Sequence, residues 1–151
     1  MRKSTICLAA VGLLITLFLT GCGSTPQAAT STLSRDGVVV SLFAKPATVK
    51  KGSPTLLTLT VRNTTSSKKS FNLPSAMEFD FSAFRKYGAE VWRYSSGKAF
   101  AQVITTTEIA PGAMLTFRTG WTPEAAGVYT VQGCFSGLPD AKPQVQVNVG
   151  P

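Results

Sequence analysis

The sequence predicts an all-β fold, an antiparallel β-sandwich of eight or nine short strands, and three observations carry that expectation. From Asp36 onward Gly, Pro, Asn and Ser punctuate the chain at short intervals, with β-branched and aromatic runs between them. Two of those runs alternate between apolar and polar residues, over 57–62 and 144–149, the pattern of a strand with one buried face. No segment carries an apolar stripe long enough for a three-turn amphipathic helix.

The chain opens differently. Arg2 and Lys3 precede an apolar run over residues 6–19, which ends in Thr20 and Gly21. A basic start, a short apolar stretch and a small-residue end describe a signal peptide, here residues 1–21. The run falls short of the roughly 20 apolar residues that span a bilayer. Leu19-Thr20-Gly21-Cys22 resembles the lipobox of bacterial lipoproteins. That resemblance implies that the Cys22 thiol takes a diacylglyceryl group and that the preceding peptide is removed, leaving a palmitate-type membrane anchor. Residues 22–35 then read as the lipidated cysteine and a flexible linker, because GSTPQAATSTLS at 23–34 has no charge and no apolar periodicity with which to repay ordering. Residues 36–151 form the domain.

Along the domain, GVVVSLF at 37–43 makes a first strand. In TLLTLTVR at 55–62, Leu57, Leu59 and Val61 share one face. Lys51-Gly52-Ser53-Pro54 supplies the turn before it. Asn63-Thr64-Thr65 matches a glycosylation sequon and reads as a strand-ending turn. Further strands are expected at 69–73, 77–87, 90–94, 101–108, 115–121 and 128–135, and at 144–149, where Val145, Val147 and Val149 alternate with amide side chains.

Loss of residues 1–21 leaves 13 basic against seven acidic residues, a formal charge of +6. The cations are scattered in runs no longer than two, as suits anionic lipid or wall polymer. An exported chain with no recognised nucleic-acid motif is not expected to bind nucleic acid. Once Cys7 is removed and Cys22 acylated, Cys134 is the remaining thiol, expected to be a buried small hydrophobe.

Histidine is absent, which removes the usual general base, the His-containing triads and the commonest metal ligand. Glu78 and Asp80 are a close acidic pair, and alternation with Met77, Phe79 and Phe81 makes them a solvent face rather than a metal or glycosidase site. Ser95-Ser96-Gly97-Lys98 brings hydroxyls near an amine but is accounted for as a turn. The chain is therefore expected to be no enzyme and to need no metal or cofactor. Its candidate binding loop is Trp92, Arg93, Tyr94, Lys98 and Phe100, since Trp, Arg and Tyr dominate interface hot spots. Alternation along that strand would put Trp92 in the core.

One pattern is less generic. LTVRNTT at 59–65, FNLPSA at 71–76, FDF at 79–81, GAEVWRYS at 88–95, FAQ at 100–102, IAPG at 109–112, Trp121 and GVYTV at 127–131 follow one another in an order that looks like the BsuPI domain. That family is named for an intracellular proteinase inhibitor of Bacillus. The resemblance runs from about Val38 to Val149 and implies an immunoglobulin-like sandwich that binds proteins, with a serine protease as the implied partner. The namesake is cytoplasmic, whereas this chain is read as exported and lipid-anchored at the extracytoplasmic face of the cell envelope. A loop over 94–100 offering Arg93 or Lys98 is one inhibitory route. A structural, assembly or adhesion role in the envelope is the alternative.

Overall fold

The computed structural model describes residues 27–151. The expected signal peptide and Cys22 lie outside the described residues. The fold is all-β: β1 (Ala29–Arg35), β2 (Val38–Lys45), β3 (Thr48–Lys50), β4 (Thr55–Asn63), β5 (Lys69–Leu73), β6 (Phe79–Arg85), β7 (Glu90–Arg93), β8 (Thr105–Ile109), β9 (Met114–Trp121), β10 (Gly127–Phe135) and β11 (Gln144–Gly150). One 3-10 turn, Lys86–Gly88, interrupts them.

Two sheets form the sandwich. Sheet one has the order β1-β2-β4-β9 and sheet two β3-β11-β10-β6-β7, while β5 and β8 pair separately. All pairings are antiparallel except β3 with β11, which is parallel. The inward residues follow the alternation in the sequence: Leu57, Leu59 and Val61 of β4 are completely buried, as are Val131 of β10 and Val147 of β11. Burying each such side chain contributes about 1.5–3 kcal/mol. The sheets close tightly over Gly133, where a Cβ would come within 2.8 Å of Leu59 Cδ1. Any side chain there would displace a completely buried leucine.

Four expectations need correction. The linker does not extend to Ser34, because residues 29–35 form β1 and pair with β2 along its whole length, from Ala29 opposite Ala44 to Arg35 opposite Val38. An edge strand is held by backbone bonds to its neighbour, here with the Thr32 and Ser41 hydroxyls bonded at 2.9 Å, so it needs no apolar periodicity of its own. The strand expected from residue 101 begins at Thr105. The strand expected over 77–87 covers only Phe79–Arg85, since Tyr87 and Gly88 adopt φ of 71° and 84°. The short β3 raises the count further, to eleven strands among the described residues.

Aromatic side chains fill one end of the sandwich. Phe79 stacks on Phe117 (4.6 Å between centroids) and on Tyr94 (5.0 Å), and Phe117 continues to Phe135 (6.1 Å). A second cluster joins Trp92 to Trp121 (5.9 Å) and Trp121 to Tyr129 (5.2 Å).

Candidate functional site

The candidate binding residues lie at the end of β7 and in the connection from β7 to β8. Alternation along β6 turns Phe79 and Phe81 inward and Asp80 to the outer side of sheet two. Asp80 is nevertheless buried, 6% exposed, because the chain leaving β7 folds over it. Its carboxylate accepts hydrogen bonds from the Phe81 amide (2.9 Å), the Ser95 amide (3.1 Å), the Ser95 hydroxyl (2.7 Å) and Arg93 Nη1 (2.9 Å). The expected solvent face therefore fails at Asp80: the side is right and the exposure is not. Glu78 stays exposed and accepts a bond from Thr107 Oγ1 (3.2 Å), so the two carboxylates serve different partners.

Arg93 is shared between Asp80 and Glu90, which also takes its Nε at 3.0 Å. The bonds from Glu90 and then from Asp80 raise the guanidinium pKa above its ordinary value. Trp92, opposite Ala83 in the register, turns inward and is half-buried against Trp121. Tyr94 follows, its ring on Phe79, with Lys98 Nζ 3.0 Å from the Tyr94 ring centroid. Ser95-Ser96-Gly97-Lys98 is a turn, closed by Ser96 N to Arg93 O (3.2 Å) and Lys98 N to Ser95 O (3.1 Å), with Gly97 at φ 74°.

Beyond Lys98 the chain changes character. Residues 98–104 have no secondary structure, and all but Phe100 are exposed. Past Lys98 a single backbone bond steadies them, from Ala76 N to Ala101 O at 2.9 Å. Val103 is 52% and Ile104 80% exposed. Thr105 then enters β8 opposite Leu73. Within the predicted set, Arg93 and Tyr94 pack into the anchored part, Lys98 stands at the junction, and Phe100 is half-buried in the exposed part.

Sequence reasoning missed both the anchoring role of Asp80 and the exposure of 101–104. An Asp between two inward aromatics signals an outward carboxylate, but nothing in a single sequence couples it to Arg93 and Ser95. The Val103-Ile104 pair reads as strand because both are β-branched.

Cys134 lies beside this site, opposite Asp80 in the β6–β10 register. It is half-buried on the outer side of sheet two rather than in the core. Burial pushes its thiol pKa up, with Lys142 acting in the opposite direction. A separate cleft of about 330 Å³ lies where Trp92, Trp121, Tyr129 and Arg85 converge.

Several solved structures share features of the fold. They include a cycloisomaltooligosaccharide glucanotransferase from Paenibacillus sp. (15% identity, TM-score 0.47, covering 72% of this chain and 13% of that one). A β-glucosidase from Listeria innocua is 12% identical, with TM-score 0.45 and coverage of 83% of this chain and 16% of the enzyme. The CARDB domain of a Pyrococcus furiosus protein, in complex with di-metal ions, is 13% identical with TM-score 0.42, covering 83% and 94%. The chain thus spans well under a fifth of either enzyme, and all three are distant in sequence and backbone. No curated protein matches the chain. The family comparison is direct: residues 42–139, from the middle of β2 to the loop before β11, match the model described as BsuPI, intracellular proteinase inhibitor. That match covers more than half of the 151 residues, and the chain belongs to the BsuPI family.

Proposed function

We propose that this chain is a proteinase inhibitor of the cell envelope, held to a membrane through acylated Cys22, and that residues 98–104 are the segment it presents to a serine proteinase. The observation that carries the reading is the exposed, strand-free course of 98–104 between two fixed ends. Proteinases bind extended segments through main-chain hydrogen bonds and side-chain pockets, as in strand addition. A segment anchored by the Asp80 cluster before it, by the Ala76–Ala101 bond within it and by β8 after it gives up little conformational freedom on binding. Arg93, committed to two carboxylates, is not free to enter a specificity pocket. Val103 and Ile104 offer apolar side chains in its place, and Lys98 offers a cation. The family description supports the inhibitory role. The Leu19-Thr20-Gly21-Cys22 motif supports the anchor.

Inhibition assays with the whole chain test this. Subtilisin-type or elastase-type proteinases, which take apolar residues, are expected to be inhibited at micromolar protein or better. Val103→Asp and Ile104→Asp should weaken inhibition at least tenfold, whereas Lys98→Ala should change it little. A trypsin-type enzyme inhibited only when Lys98 is present would move the recognised residue to Lys98. No inhibition of any serine proteinase at micromolar protein would overturn the proposal. Palmitate labelling that disappears in Cys22→Ser tests the anchor separately.

A further inference from the structure

The two outer faces of the sandwich differ in charge. On sheet one the register sets Lys45 beside Leu56, Phe43 in line with Thr58 and Arg118, and Arg62 beside Met114, all outward. Val39, threonines and serines fill the space between. The seven acidic residues stand elsewhere: in the β1–β2 turn, on sheet two, on β8 and in connecting loops. Among the described residues Lys45, Arg62 and Arg118 form no ion pair, as is true of most of the cations, but these three stand on a face that carries no acid. Leu56 and Met114 are 48% and 54% exposed at opposite ends of the same face. The outer face of sheet two instead mixes amides, Gln144 being bonded to Gln132 at 2.9 Å, with acids and cations that largely offset one another, Arg93 being paired with Asp80 and Glu90 beside a single further cation, Lys50.

The three cations are spread along about six residues of strand, close to 20 Å, and so form no pocket for a single anion. Unpaired positive charge over a flat area, with apolar side chains among it, suits an extended anionic surface. The chain's own route names that surface. Gln27 O accepts from Ala47 N and Ala29 lies opposite Ala44, so on the anchored reading the few residues that follow Cys22 lead into the sandwich at the Lys45–Leu56 end of sheet one. An anchor there would bring that end of sheet one near the membrane, and the charge on its face favours the sheet lying flat.

We infer that the outer face of sheet one lies against an anionic lipid surface, with Lys45, Arg62 and Arg118 among the headgroups and Leu56 and Met114 in the interfacial layer. This rests on the membrane-anchored reading above. Each cation near such a surface contributes about fivefold, so three together bias the face by roughly a hundredfold.

Hydroxyl-radical footprinting of the whole chain on vesicles tests the inference. In vesicles of phosphatidylcholine mixed with phosphatidylglycerol, oxidation of Met114 and Leu56 should fall at least about fivefold relative to phosphatidylcholine alone. Val128 and Tyr87 should be unchanged. The double variant Arg62→Glu, Arg118→Glu should lose the protection, and Arg62→Gln, Arg118→Gln should lose part of it without introducing opposite charge. Equal oxidation of Met114 in both vesicles, or equal protection of Val128, would overturn it. Flotation with vesicles, compared between the wild type and Cys22→Ser, reports the anchor alone: a chain that floats through Cys22 while Met114 stays reactive has the anchor and not the docked face.

Discussion

Between β7 and β8 the chain runs through two stretches of opposite construction. Residues 94–98 are held by a buried carboxylate, an aromatic stack and two turn bonds, whereas residues 99–104 run exposed with one backbone bond. Neither stretch belongs to a sheet. The first keeps one backbone bond to β6, from Tyr94 N to Phe81 O at 2.9 Å, and adds side-chain ones, with Asp80 accepting two from Ser95. The second keeps its main chain open. The contrast shows how a sandwich can display an extended segment without letting it wander: fix the near end to a strand through one acid and let the far end run into another strand.

The most forceful way to break the contrast is Asp80→Ala. It removes the acceptor of the Phe81 amide and of the Ser95 amide and hydroxyl together and should destabilise the domain by about 3 kcal/mol, read as a lower urea midpoint, since these partly buried donors lose their partner while the exposed Arg93 keeps Glu90. Asn63→Ala attacks the far support. Asn63 is completely buried, its amide donating to the carbonyls of Ser67 (2.7 Å) and Ile109 (3.0 Å) and its oxygen accepting from Thr65 N (3.0 Å) and Oγ1 (2.7 Å). Its loss should cost about 2 kcal/mol and loosen the end of β8, seen as faster amide exchange over Thr105–Ile109.

Cys134 sharpens the comparison from the side, because it sits beside Asp80. Its thiol pKa is raised in the fold, so the unfolded chain ionises first as pH climbs. Stability should therefore decline as pH rises through the ordinary thiol range, and Cys134→Ser should flatten that decline. Alkylation of Cys134 at mildly alkaline pH should be several-fold slower in the folded than in the unfolded protein. The smallest effect belongs to the free half: Ile104→Asp should leave the urea midpoint within about 0.5 kcal/mol, because it removes an exposed side chain with nothing packed on it. A large loss there would show that the open stretch is structural.

The sandwich was legible wherever one face of a strand is buried. The alternation over residues 55–62 named the inward Leu57, Leu59 and Val61, and that over 144–149 named Val145, Val147 and Val149, which are all buried. Legibility ended where backbone pairing or a distant side chain decides. Strand β1 is polar and mostly exposed, so only its ladder with β2 reveals it. Asp80 could be assigned a side but not its burial, since the covering residues come 13 and 15 positions later. Among the candidate binding residues, alternation already turned Trp92 inward, where it meets Trp121; what no alternation could supply is that Arg93 is taken up by its two acids.

Strand β1 has a bearing on solubility. It covers the edge of β2, whose VVVSLF is among the most apolar runs of the domain and has the composition of an aggregating segment. A chain shortened to begin at Asp36, where composition alone would set the domain's start, would expose that edge along its whole length. Unpaired apolar edges recruit further strands, and self-association rising with concentration would follow. The threonines and serines of β1 act as a sealing strip, and they have to be present from the moment the domain folds.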